Sequence, residues 1–185
     1  MLAGKPQKIN CNLCHIFKML GDWYIVEYYA SAEEALSYSC MRAVFSEDDH
    51  VTAAEWVPGV TMNFTYRFAD DPIGENLLGN ITWKIDMNMP AHWTHEEKTY
   101  DGIYNTYVLD TEYKTWALLL HCAEQREGAR YLSAFVLSRK SMLPKNVMAY
   151  LRDKLPRIKK YFVNMTQPLT QITKSTNNVC DLLRQ

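Results

Sequence analysis

Two runs of eight residues alternate strictly between polar and apolar side chains, and nothing else in the chain limits its fold as much. The first is Thr61-Met-Asn-Phe-Thr-Tyr-Arg-Phe68. The second is Asn80-Ile-Thr-Trp-Lys-Ile-Asp-Met87. A period of two is that of a strand with one buried face. Each run also carries a glycosylation sequon, Asn63-Phe-Thr65 and Asn80-Ile-Thr82. A glycan cannot point into a packed interior. With Asn63 outward, Met62, Phe64, Tyr66 and Phe68 face in. With Asn80 outward, Ile81, Trp83, Ile85 and Met87 face in. Sequon placement and hydrophobic alternation are independent signals, and they agree. An inward face of this kind either packs into a filled core or lines an apolar cavity.

Turn signals divide the rest into short segments. Strands are expected over 22–30, 38–46, 50–57, 60–69, 78–87, 103–110, 114–123 and 130–138. Glu47-Asp-Asp49, Pro58-Gly59 and Asp70-Asp-Pro-Ile-Gly74 mark turns, and 31–36 and 88–99 read as loops. Short strands at regular spacing indicate an antiparallel sandwich or barrel. Eight closed strands leave an interior that side chains can fill or that can hold one small ligand. Facing stays open on the first, sixth and last strands. The sixth turns in either Ile103, Asn105, Tyr107 and Leu109 or Tyr104, Thr106 and Val108. The last turns in either Tyr131, Ser133, Phe135 and Leu137 or Leu132, Ala134 and Val136. Tyr107 and Phe135 are their candidates for the ligand site. A helix is expected over 144–155, with Pro144 in its first turn. Val147, Met148, Leu151 and Leu155 make its apolar stripe, which packs on the outside of the strands.

With 20 basic and 21 acidic residues, the chain offers no charge excess to attract nucleic acid or an anionic membrane. No apolar run approaches the ~18 residues of a membrane span. The first eight residues lack an apolar core, so no signal peptide is visible. The chain is therefore cytosolic or a mature secreted form. Five cysteines and a third sequon, Asn164-Met-Thr166, favour secretion. Cys11-x-x-Cys14 lacks a second pair, and His92 and His95 are too close for a zinc-type His pair, so no metal site is expected.

Three short stretches carry a family resemblance: Gly21-Asp-Trp23, Thr111-Glu-Tyr113 and Arg139. In this order and separation they resemble the motifs of the lipocalin family, with Glu112 where the family usually has Asp. The resemblance runs from about Cys11 to Cys180. It implies one domain over 1–185: an all-β, eight-stranded antiparallel up-and-down barrel over about 21–139, a helix over 144–155 and a tail over 160–185. It implies that Trp23 closes the base with Arg139 across it, beside Thr111 and Tyr113. The cysteine spacing is similar to that of insect-type members, the bilin-binding and apolipoprotein-D-like proteins. That likeness implies Cys11 or Cys14 paired with Cys122, and Cys40 with Cys180. The cysteine left over at 11 or 14 is free or links a second copy.

The function implied is a secreted, extracellular carrier or scavenger of a bilin, retinoid, fatty acid or sterol-like molecule. No cofactor is required; a biliverdin-like bilin is the favoured bound pigment. The alternative is an inhibitor-like, protein-binding lipocalin acting through 31–37 and 88–99, where His92, Trp93 and His95 lie. An amine ligand would want a buried carboxylate, for which Glu27 and Glu55 are candidates. No phosphate loop, metal cluster or nucleophile–base spacing marks an enzyme.

Overall fold

A computed structural model describes residues 16–30, 38–51, 56–97, 102–124, 131–158 and 170–171. The strands are β1 (Gly21–Ala30), β2 (Tyr38–Val51), β3 (Trp56–Phe68), β4 (Leu77–Ile85), β5 (His92–Glu97), β6 (Gly102–Glu112), β7 (Trp116–Glu124) and β8 (Tyr131–Ser138). The helix α1 (Lys145–Ile158) and a two-residue strand β9 (Thr170–Gln171) follow. Each of β1–β8 is antiparallel to the next, and β8 returns to β1, which closes the barrel. β1 divides one edge between two partners. Gly21–Tyr24 pair with β2, while Tyr29 and Ala30 pair with β9. Ala30, Tyr38, Phe68 and Leu77 thus mark one end, the mouth; Gly21, Val51, Ile85 and His92 mark the base.

The strand count agrees with the sequence reading, but two boundaries do not. The segments expected over 38–46, 50–57 and 60–69 are only two strands. Glu47, Asp48 and Asp49 continue β2 opposite Val60, Gly59 and Pro58. They escape their turn preference because β2 pairs with β1 only as far as Phe45. Beyond it, β2 pairs with β3 alone, Ser46 and Glu47 are exposed, and the Thr61 hydroxyl donates to Asp48 at 3.1 Å. Pro58 lies past the last β3–β4 pair, Gly59 with Lys84, so no ladder on that edge wants the N–H it lacks. Gly59 is required by crowding: a Cβ there would stand 2.5 Å from the Asp48 carbonyl oxygen.

The missing strand is β5, inside the segment expected to be a loop. Its Trp93 is wholly buried, while Lys84 and Glu96 pair on the outer face at 3.5 Å. Five polar residues around one indole give little hydrophobic signal.

Two apolar layers result. The first fills the barrel, with Trp23, Phe45, Met62, Trp83, Trp93 and Leu119 among its buried members. The second lies outside β1, β7 and β8, where Leu151 and Leu155 of α1 meet Val26, Leu118, Leu120 and Val136. A bulge between Ile25 and Glu27 turns Val26 and Glu27 both toward α1. Glu27 is 2 % exposed and pairs there with Arg152, whose Nε donates to its two oxygens at 3.1 and 3.2 Å. The Tyr29 hydroxyl donates to the same carboxylate at 2.5 Å. Burial and this carboxylate push the Tyr29 pKa up, and the Glu27 bond raises that of Arg152. Glu27 is thus a helix anchor outside the barrel, not an amine counter-ion. Glu55 lies outside the described residues.

Candidate functional site

The base is built from residues distant in sequence. Gly21 sits at φ +90°, a backbone conformation that favours glycine, and lets the chain enter β1 beside Arg139. The Arg139 guanidinium stands 3.6 Å from the Trp23 ring centre. It donates to the carbonyls of Asp22 (2.8 Å), Lys18 (2.9 Å) and Leu20 (2.9 Å), with a longer bond to Tyr113 (3.4 Å). Burial lowers its pKa, opposed by Asp22. The Trp23 indole donates to the Met19 carbonyl at 2.7 Å, and Thr111 donates to that of Trp116 at 2.9 Å. Glu112 accepts from the Thr115 hydroxyl at 2.5 Å. Together these groups tie the helical turn at Ile16–Phe17 to the β6–β7 turn.

Above the base, Phe45, Trp83 and Trp93 form an aromatic plug. Phe45 and Trp83 stack at 6.3 Å, and Trp93 stands 5.6 Å from Trp83. The plug fills the lower barrel. Between it and the mouth lies a cavity of about 300 Å³. Five of the expected residues line it: Met62, Phe64, Tyr66, Ile81 and Phe135. Phe68 stands at the rim against Tyr38 and Tyr66, at 5.7 and 5.8 Å. Trp83 and Ile85 face inward but belong to the packed lower half. The Trp83 indole N–H is buried there with no acceptor among the described residues.

Two expected site residues are corrected. Met87 is exposed and lies past the end of β4, because Asp86 accepts the backbone N–H of Asn88 and Met89 and ends the alternation. Tyr107 belongs to the outer layer and stacks on His92 at 4.8 Å. The inward set on β6 is instead Tyr104, Thr106 and Val108, ended by a bulge before Asp110.

The sequence reading missed four lining residues, Tyr28, Tyr38, Met41 and His121, and left a fifth, Ser133, on one of two open faces of the last strand. Simple alternation cannot put both Tyr38 and Met41 inside. A bulge between Ser39 and Arg42, with Cys40 at φ 54°, makes that possible. His121 was findable two residues beyond Leu119 on the same inward face. Its Nδ1 bonds the Thr106 hydroxyl at 2.7 Å, and its ring stacks on Tyr104 at 5.4 Å. Burial, then the neighbouring His95, lower its pKa to about 4, so the imidazole is neutral at pH 7.

A second space of about 410 Å³ lies across Trp93 at the base, lined by Ile16, Met19, Val108 and Tyr113 among others. It adjoins the point where the described chain begins.

Asn63 and Asn80 are both exposed and pair directly across β3 and β4; Asn164 is outside the described residues. Cys40 is disulfide-bonded to a residue outside them. The expected pairing of Cys122 involves Cys11 or Cys14, which also lie outside, as does Cys180. Cys122 itself is buried in the layer beneath α1. Trp93, read from the sequence as part of the 88–99 loop, is in the plug, and its indole donates to the Pro90 carbonyl at 3.0 Å. The turn before β5 lies at the base, and β5 rises from it; 31–37 and 98–99 lie outside the described residues. No helix among the described residues is long and apolar enough to cross a membrane.

No protein-family model and no curated protein sequence matches the chain. Solved structures do. Lobster apocrustacyanin A1 is 16 % identical with a TM-score of 0.59, covering 88 % of this chain and 81 % of its own. Apocrustacyanin C2 is 18 % identical with a TM-score of 0.58, covering 92 % and 82 %. The siderocalin Ex-FABP is 16 % identical with a TM-score of 0.53, covering 77 % and 83 %. With its closed eight-stranded barrel, its outer helix and these neighbours, the chain has the lipocalin fold.

Proposed function

We propose that this protein is a secreted carrier or scavenger that holds one small hydrophobic ligand in the upper barrel, and is not an enzyme. The observation that carries the reading is the cavity of about 300 Å³ above a packed aromatic plug. Its walls are aromatic and aliphatic with a few polar tips, the usual make-up of a small-molecule pocket. Tyr28 stacks on Phe135 at 5.1 Å and Tyr38 meets Tyr66 edge-on at 5.3 Å, so the upper walls suit a flat or conjugated molecule. The volume sits near the low end of the roughly 300–1,000 Å³ typical of such pockets. That favours a slender retinoid, fatty-acid or sterol-like molecule. A biliverdin-like bilin enters only if the aromatic rim opens.

The siderocalin neighbour functions through dual ligand specificities, which supports a ligand-binding reading of the barrel. Secretion is supported by the three sequons, two of them exposed, and by the disulfide at Cys40. We assign Cys180 as its partner, and Cys11 or Cys14 as the partner of Cys122.

The test is protein purified from a secreting host. Its absorbance from about 300 to 750 nm and its native mass report a bound pigment or other ligand. Retinoid and fatty-acid titrations by tryptophan fluorescence follow. Saturable one-to-one binding that competes between ligands is the expected result. A bare mass and no saturation with any of them would remove the carrier reading. Loss of mass on enzymatic deglycosylation checks the sequons.

A further inference from the structure

We propose that Nε2 of His121 and the hydroxyl of Ser133 form the cavity's polar anchor, and that they select a hydrophobic ligand ending in a hydroxyl or carbonyl over one ending in a carboxylate. The inference rests on the carrier reading and narrows its ligand class. His121 and Ser133 are directly opposed across β7 and β8, and both line the cavity. Side chains so placed start about 5 Å apart at Cβ, so both can reach one ligand oxygen. Thr106 is directly opposed to His121 on the other side and is wholly buried. Its hydroxyl occupies Nδ1 at 2.7 Å, which fixes the ring and leaves Nε2 to the cavity. One row across β6, β7 and β8 therefore carries three polar side chains into an interior that is otherwise mostly apolar.

The rest of the lining decides the ligand's charge. Among the described residues the cavity presents no Lys, Arg, Asp or Glu. A carboxylate entering it would lose its hydration and meet no cation. A hydroxyl can donate to one anchor and accept from the other, whichever nitrogen of His121 carries the proton. A carbonyl can accept from both when Nε2 carries the proton, and from Ser133 alone otherwise. The same groups do not make a hydrolytic centre. The partner behind the imidazole is a threonine hydroxyl, not a carboxylate. Burial and His95 also hold the His121 pKa at about 4, well below the near-neutral value that best suits a general base at pH 7.

The experiment is an equilibrium titration of the full chain with 1-decanol, decanoate and β-ionone at about pH 7.5, where decanoate is ionised. Tryptophan fluorescence reports binding to the wild type, His121→Phe, His121→Gln and Ser133→Ala. Decanol and β-ionone are expected to bind at least about tenfold more tightly than decanoate. Ser133→Ala should weaken decanol by roughly three- to tenfold and leave decanoate unchanged. His121→Phe should erase the preference, and His121→Gln, which keeps a hydrogen-bonding tip, should retain most of it. Decanoate binding as tightly as decanol, or a preference unchanged in His121→Phe and Ser133→Ala, overturns the anchor and leaves the carrier reading standing. If no probe binds the wild type, the carrier reading falls and the anchor with it. Should His121→Phe fail to fold, the wild-type preference and Ser133→Ala decide the matter.

Discussion

The guanidinium of Arg139 lies 3.6 Å from the centre of the Trp23 ring and donates to four backbone carbonyls around it. One side chain thereby closes the base and joins the first strand, the N-terminal turn and the β6–β7 turn. Arg139→Lys keeps the charge but loses the planar fork that reaches several carbonyls at once. It is expected to destabilise the fold by about 2 kcal/mol, and Arg139→Ala by about 3 kcal/mol. Urea unfolding would show a lower midpoint at unchanged slope. Ligand affinity should hold, because the plug separates this base from the upper cavity. A lysine variant as stable as the wild type would mean that charge alone matters there.

The sequence revealed much of this architecture where one signal was local and strong. Three short stretches marked the base, and alternation over β3 and β4 placed Met62, Phe64 and Ile81 correctly on the cavity wall. It failed where backbone irregularity resets the count of two. The bulges at Cys40, Val26 and Leu109 each shift a face, so Tyr38, Met41 and Glu27 could not be placed by counting. Asp48, Asp49, Pro58 and Gly59 read as turn residues because turn preference is local. Whether a strand continues past the barrel's base is a tertiary fact. Trp93 read as a surface loop because its burial depends on Phe45 and Trp83, which are far away in sequence.

Glu27 and Arg152 lead to a second prediction. The carboxylate is 2 % exposed, whereas the guanidinium is half in solvent, with 53 % of its side chain accessible. Removing the exposed partner leaves the buried charge alone. Arg152→Met should therefore lower stability by about 3 kcal/mol. Adding Glu27→Gln should recover much of the loss, since the orphaned charge is then gone. Both variants can be compared by urea unfolding, and α1 docking by hydrogen exchange on 145–158. A double variant less stable than Arg152→Met alone would contradict this assignment of the penalty.

His121 sets a pH dependence of stability. Its pKa is about 4 in the folded chain against 6.5 in the unfolded one. The unfolded chain thus takes up the proton first as pH falls. The stabilising effect of the neutral ring is complete above about pH 6.5 and is lost progressively down to about pH 4. The loss is at most about 3 kcal/mol. His95 from β5 and Tyr104 from β6 are the titratable groups packed against it. The low pKa values of Asp71, Asp86 and Asp110, held by backbone and side-chain hydrogen bonds, act below this window. Unfolding midpoints of wild type and His121→Gln between pH 4 and 7 should diverge in slope. Parallel curves would show that another group controls the window.

Gly59 and Gly79 should separate stability from binding. An added Cβ at Gly59 meets the carbonyl oxygens of Asp48 and Trp83, at 2.5 and 3.1 Å. Both are backbone atoms of flanking strands, so relief means breaking the ladder. At Gly79 the three atoms nearest the Cβ all belong to the Phe64 ring, at 2.3 to 2.9 Å. That ring borders the cavity and has room to swing into it. Gly59→Ala is expected to destabilise by about 3 kcal/mol with little change in affinity. Gly79→Ala should cost about 1 kcal/mol and weaken ligand binding about tenfold, because the displaced ring takes up part of the roughly 300 Å³. Urea midpoints and decanol titrations on both variants read the two effects separately. If Gly79→Ala proves the less stable of the two, the Phe64 ring is held as rigidly as a backbone, and the cavity wall cannot adapt to its ligand.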